Sequence, residues 1–134
     1  MADKAASPVI MRSMLGQVRG LGSAKAGTAH WWAQRMTAVA LVPLTLWFVC
    51  AVIRLAGLPR AAVVDWAASP LTATLLVALV LATFHHLQLG LQVVMEDYIH
   101  RDRPRMLWLL VMKAAAALLG LAALIAVLKL AFTG

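Results

Sequence analysis

Charged residues are scarce in this chain of 134 residues. Asp, Glu, Lys and Arg make up 13% of it, whereas about 25% is usual in a soluble domain. Apolar residues make up 63%, against a usual content of about 45–50%. Because so few charged side chains cannot cover the surface of a soluble domain, a soluble globule and a disordered chain are both excluded. The composition indicates an integral membrane protein.

Cysteine and acidic residues are also few. Cys50 is the single cysteine, which excludes a small secreted module held together by intrachain disulfides. Five acidic residues stand against 12 Lys and Arg, which gives a net charge of +7. The basic residues lie mainly at the ends of apolar stretches, where membrane topology explains them better than nucleic-acid binding does. We therefore expect membrane lipid, and no nucleic acid, as a partner.

The chain does contain three long apolar stretches, which cover residues 36–54, 71–95 and 106–131. As α-helices they are long enough for a hydrocarbon core of about 30 Å. The sequence therefore predicts an all-α membrane protein in which an N-terminal segment, residues 1–35, precedes a three-helix transmembrane anchor, residues 36–134.

The basic residues near the ends of the three stretches predict the orientation. One side of the predicted membrane carries most of them, and the other carries only Arg54, Arg60 and Lys129. Since Lys and Arg accumulate on the cytoplasmic side, we expect a cytoplasmic N-terminus and a periplasmic C-terminus. The residues assigned to the cytoplasmic side are Lys4, Arg12, Arg19, Lys25, Arg35, Arg101, Arg103 and Arg105.

Two adjacent histidines, His85 and His86, lie inside the second apolar stretch. Ionisable side chains at such depth are costly and by default suggest a function. A simpler explanation is that each imidazole stays neutral and forms a hydrogen bond with a neighbouring helix. For a single intramembrane histidine, the sequence leaves both interpretations open.

The neighbours of the two histidines differ. Ala82 and Gly90 lie one turn before and one turn after His86, on the same helical face, whereas leucines flank His85 at both of these positions. A flat macrocycle needs small residues on either side of its ligand, so His86 is the better candidate for an axial ligand of haem iron. A second axial ligand would have to come from another subunit.

Further candidates lie where the spans meet the cytoplasmic side. Asp97 and Tyr98 place a carboxylate beside a phenol, a pair that suits a quinone carbonyl. From the residues alone we favour a simpler explanation, a tyrosine of the aromatic belt next to an aspartate that caps a loop. Arg35 either extends to lipid phosphate or holds a carboxylate such as a haem propionate.

The combined motif resembles a known family. His86 and Gly90, followed by Asp97 and Tyr98, resemble the H-x-x-x-G…D-Y motif of the smaller, D-type membrane-anchor subunit of succinate dehydrogenase. Residues 27–38 (GTAHWWAQRMTA) resemble the segment that leads into the first span of bacterial members. The resemblance extends over most of the chain, from about Arg19 onward.

The resemblance implies roles for particular residues. His86 would be the axial ligand that this subunit supplies to haem b, and the second axial histidine would belong to the C-type cytochrome b anchor subunit. Tyr98 would donate a hydrogen bond to ubiquinone, supported by Asp97. His30 and Arg35 would contact the haem propionates. His85 matches no ligand position of the motif.

The resemblance also implies the partners and the location. A flavoprotein subunit would oxidise succinate, an iron–sulfur subunit would pass the electrons on to quinone, and the chain would tether both to a bacterial inner membrane. The chain has no nucleotide-binding motif and no cysteine set for a cluster, so it would not catalyse succinate oxidation alone. Two alternatives stay open: a small transporter with a proton relay of His85, His86 and Glu96, and a structural anchor without a cofactor.

Overall fold

The computed structural model describes residues 13–15 and 26–133. Most of the predicted N-terminal segment, residues 1–35, therefore lies outside the described residues, together with Lys4, Arg12, Arg19 and Lys25. The described part contains helices and no strand.

Four helices follow one another along the described chain. They are α1 (Ala26–Leu55), α2 (Arg60–Ala68), α3 (Pro70–Tyr98) and α4 (Asp102–Thr133). By length and composition, α1, α3 and α4 could each cross a membrane. This confirms the expected all-α fold with three candidate spans, whereas the short helix α2 was not predicted.

Local sequence explains where the helices begin and end. After α1, Gly57 adopts a positive φ of 83°, which glycine tolerates better than other residues because it has no Cβ. Pro59 precedes α2, and Pro70 occupies the first turn of α3, where its missing N–H costs nothing. Asp102 lies in the first turn of α4 and forms an ion pair of 2.7 Å with Arg105.

The three long helices exceed the apolar stretches from which they were predicted. They contain 30, 29 and 32 residues, so each is about 45 Å long at the usual rise per residue. A hydrocarbon core is about 30 Å thick, so the polar ends of the helices extend beyond it.

The helix α3 is the centre of the bundle, because it packs against α1 on one side and α4 on the other. The interface between α3 and α4 is close at Gly120, where an added Cβ would lie 3.1 Å from Cγ of Phe84. The short helix α2 packs on α4 and α3, and its Trp66 stacks on Trp47 of α1 with ring centroids 5.8 Å apart.

Little of the apolar surface is buried inside the chain. In the most apolar window of each long helix, only 6% of the residues are buried. Large side chains such as Val39, Leu46 and Leu118 are more than half exposed. Lipid or neighbouring transmembrane helices must therefore cover most of the bundle.

Candidate functional site

His86 is joined to the neighbouring helix by a hydrogen bond. Its Nδ1 lies 3.0 Å from Oγ1 of Thr37 on α1, although the two residues are 49 positions apart in sequence. Both side chains are half-buried. Within the described part of the chain, His86 has no other hydrogen-bond partner, so only one of its ring nitrogens is occupied.

A second contact between α1 and α3 lies one turn away. A Cβ added to Gly90 would lie 3.9 Å from Nε2 of Gln34. Since Gln34 precedes Thr37 and Gly90 follows His86, the two helices run antiparallel. Because Gly90 and the half-buried Ala82 have little or no side chain, few atoms project from α3 on either side of His86.

His85 lies in a different groove from His86. Its exposed side chain lines an open pocket of about 310 Å³ between α3 and α4, together with Gln88 and Gly120. Adjacent residues of an α-helix point about 100° apart. Each histidine therefore lies beside a different neighbouring helix.

His30 and Arg35, the two residues expected near haem propionates, lie on different faces of α1. His30 precedes Thr37 by seven residues, which returns it to nearly the same face about 10 Å along the axis. Its Nε2 is buried and has no hydrogen-bond partner in the described part of the chain. Arg35 lies about 160° around the helix from Thr37, and its guanidinium lies 5.5 Å from the ring centroid of Trp31.

Asp97 and Tyr98, the residues expected at quinone, form the exposed end of α3. Tyr98 is 80% exposed, and neither side chain forms a hydrogen bond within the described residues. An open pocket of about 520 Å³ at this end of the bundle is lined by Glu96, Asp102 and the beginning of α4, but by neither Asp97 nor Tyr98. Any ligand of these two residues would therefore bind on the outer surface of the chain.

The arrangement around His86 can supply one nitrogen ligand. The described residues contain no group of three or more His, Cys, Asp or Glu side chains that could hold a metal ion. A metal bound at His86 would therefore need its other ligands from a macrocycle or from another chain. Sequence reasoning missed Thr37, since nothing in the local sequence links it to His86.

Comparison with known proteins is consistent with this architecture. Residues 10–129 match the family model of the succinate dehydrogenase/fumarate reductase transmembrane subunit. A succinate dehydrogenase hydrophobic membrane anchor subunit from Rickettsia bellii is 30% identical over 116 residues, which cover 87% of this chain and 93% of the relative.

Two further relatives match smaller parts of the chain. The hydrophobic membrane anchor subunit from Paracoccus denitrificans is 33% identical over 59% of this chain and 61% of its own length. The membrane anchor subunit from Reclinomonas americana is 24% identical over 69% of this chain and 79% of its own length. No solved structure gives a significant match.

The family match spans nearly the whole three-helix bundle, including α3 with the H-x-x-x-G…D-Y motif. This multi-pass membrane protein thus belongs to the succinate dehydrogenase/fumarate reductase transmembrane subunits, as a membrane-anchor subunit that associates with other subunits of that complex.

Proposed function

We propose that this anchor subunit supplies one axial ligand, His86, to a haem b that it shares with a C-type anchor subunit. It also contributes Tyr98 and Asp97 to a ubiquinone site, and tethers the iron–sulfur and flavoprotein subunits to the cytoplasmic face of a bacterial inner membrane. The observation that carries the haem assignment is the state of His86, whose Nδ1 is bonded to Thr37 while Nε2 has no partner in the described chain.

The surroundings of His86 fit such a group. Ala82 and Gly90 carry little or no side chain on either side of the imidazole, as a flat macrocycle would require. The buried, unpartnered Nε2 of His30 is a polar atom that a propionate could satisfy. When bound, haem supplies one-electron redox chemistry. His86 would hold the iron, and His30 and Arg35 would present polar groups to the propionates.

Arg35 lies on the side of α1 opposite to Thr37 and His86, so it would approach a propionate from that side. Its exposed guanidinium now lies over Trp31, and an exposed cation–π contact of this kind contributes only about 0.5–1 kcal/mol. A bidentate bond to a carboxylate is stronger. Arg35 is therefore free to exchange Trp31 for a propionate at an interface with the C-type subunit.

The exposed end of α3 suits a quinone site that several subunits complete. The neutral phenol of Tyr98 can donate a hydrogen bond to a quinone carbonyl, and Asp97 adds a carboxylate beside it. Reduction of ubiquinone takes up two electrons, supplied through the iron–sulfur subunit, and two protons from the cytoplasmic side. Tyr98 orients the carbonyl that receives a proton, and the soluble subunits would close the site.

A proton relay through His85, His86 and Glu96 is disfavoured by the geometry. The two histidines lie in different grooves. Glu96 is exposed and accepts a hydrogen bond of 2.8 Å from Gln92 at the end of α3. An anchor without a cofactor is the stronger alternative, because the bond to Thr37 satisfies one nitrogen of His86 as that hypothesis expects.

Spectroscopy of the assembled complex distinguishes haem ligation from a structural histidine. The complete complex is purified with the chain as wild type, His86→Ala or His85→Ala, and reduced-minus-oxidised spectra are recorded. We expect the b-type haem band to disappear in His86→Ala and to persist in His85→Ala. The amount of flavoprotein that copurifies serves as the control for assembly.

A haem band that is unchanged in both variants would contradict the proposal and favour the anchor without a cofactor. If His86→Ala prevents assembly, His86→Gln keeps a polar side chain that can still bond to Thr37 but ligates haem iron poorly. Full assembly with loss of the haem band in His86→Gln then supports the proposal.

A further inference from the structure

The hydroxyl of Thr37 has three neighbours and a single proton to give. Its Oγ1 lies 2.8 Å from the carbonyl oxygen of Ala33, 3.0 Å from that of Gln34 and 3.0 Å from Nδ1 of His86. The two carbonyls can only accept hydrogen bonds, whereas Nδ1 of a neutral imidazole can either donate or accept.

Only one distribution of protons makes both the contact within α1 and the contact with His86 hydrogen bonds. The hydroxyl proton is then donated to a carbonyl within α1, as threonines in helices commonly do. The hydroxyl oxygen then accepts the proton of Nδ1. A neutral imidazole that carries its proton on Nδ1 has its lone pair on Nε2, the nitrogen without a partner in the described residues.

We propose that Thr37 is a positioning residue that fixes the tautomer and the ring orientation of His86, so that Nε2 is the atom that ligates iron. This inference rests on the proposed haem ligation. Histidines that bind metals usually donate the other ring N–H to a neighbouring acceptor, which orients the ring and raises its basicity. Thr37 provides that acceptor from the adjacent helix.

Other threonines show that the contact with His86 is specific to Thr37. Thr45 on α1 and Thr74 on α3 also donate to carbonyls of their own helices, but both are exposed and have no partner on another described helix. Thr45 lies two turns beyond Thr37 on the same helix. It is therefore a matched control, because its replacement removes the same intrahelical bond without affecting His86.

The test compares Thr37→Val, Thr37→Ser and Thr45→Val in the complete purified complex. The readouts are the midpoint potential of the haem, its low-spin electron paramagnetic resonance spectrum and the rate of haem loss. Valine keeps the shape of threonine but cannot accept the Nδ1 proton. Removal of an outer partner of a ligand typically weakens metal binding about 10- to 100-fold, so we expect haem loss to be about tenfold faster in Thr37→Val.

The potential and the spectrum should change in a defined direction. A bond from Nδ1–H to oxygen makes imidazole a better electron donor, which stabilises ferric iron. Its loss in Thr37→Val should make the potential more positive and shift the resonance, which is sensitive to the orientation of the ligand ring. Thr37→Ser retains the acceptor and should restore both properties, while Thr45→Val should match the wild type.

Two outcomes separate this inference from the function on which it rests. If His86→Ala loses the haem band but Thr37→Val retains the wild-type potential and resonance, the role of Thr37 is wrong and haem ligation stands. If His86→Ala keeps the haem band, the proposed function itself fails. Should Thr37→Val not assemble, Thr37→Ala removes the same acceptor with a smaller side chain, and the same comparison applies.

Discussion

The phenol of Tyr98 is an exposed hydrogen-bond donor next to Asp97 in sequence. Tyr98 is the last residue of α3 and is 80% exposed, and its hydroxyl has no hydrogen-bond partner among the described residues. We expect Tyr98→Phe to lower kcat/KM for ubiquinone about threefold to tenfold, the effect of losing one hydrogen bond to a neutral acceptor. Haem content should not change, because the substitution removes a single oxygen atom.

The measurement is succinate-driven reduction of a soluble ubiquinone analogue by the purified complex. Trp108→Phe is the control, since it removes an N–H donor from another exposed aromatic side chain near the beginning of α4. Equal kcat and KM in Tyr98→Phe and the wild type would show that the hydroxyl of Tyr98 does not bind quinone.

Single residues also mark the limit of what the sequence could predict. His86 was identified because an imidazole inside an apolar stretch is costly, and Gly90 because its spacing places it on the same face. Thr37 carried no comparable signal. A threonine hydroxyl can donate its hydrogen bond to a carbonyl of its own helix, as in Thr45. Only the packing of α1 against α3 therefore distinguishes Thr37 from Thr45.

At the scale of the helices, α3 and α4 pack closely where Gly120 faces Phe84. An added Cβ at Gly120 would lie 3.1 Å from Cγ and 3.3 Å from Cβ of that side chain. We expect Gly120→Val to separate the two helices and to destabilise the bundle by about 1–3 kcal/mol, the usual cost of overpacking. The melting temperature of the purified complex should fall.

Ala122→Val is the matched control for this substitution. Ala122 is exposed and lies two residues further along α4, on nearly the opposite face. The Ala122→Val substitution introduces the same β-branched side chain into α4, but on the face that points away from Phe84. Equal melting temperatures for the Gly120 and Ala122 variants would show that the close approach of α3 and α4 does not limit stability.

The elements differ in how well the sequence predicted them. Long apolar stretches determine α1, α3 and α4, because few other structures satisfy the backbone in lipid. The spacing of the small residues Ala116 and Gly120 in the sequence indicates a helix contact only weakly, since such spacing is common in alanine-rich helices. The helix α2 was missed because its nine residues give too short a pattern, and its position depends on contacts with distant residues such as Trp47.

On the scale of the whole molecule, the exposed faces agree with the role of an anchor. Only 6% of the residues in the most apolar part of each long helix are buried, so apolar surface is available for lipid and for partner helices. The candidate ligand atoms of His86, His30 and Tyr98 all lack partners within the described chain. Haem and quinone sites built on them would therefore be completed by other subunits.

The direction in which the bundle crosses the membrane is a prediction from the distribution of charge. It is tested with cysteine variants in a Cys50→Ser background, labelled with a maleimide that does not cross membranes. Leu58 lies in the connection after α1 and is 50% exposed, and His100 is exposed between α3 and α4. We expect Leu58→Cys to react in intact spheroplasts, and His100→Cys only after permeabilisation and removal of the soluble subunits with denaturant. The reverse pattern would place the end of α3, with Asp97 and Tyr98, on the outer side, which would contradict the predicted orientation and the proposed attachment of soluble subunits at the cytoplasmic face.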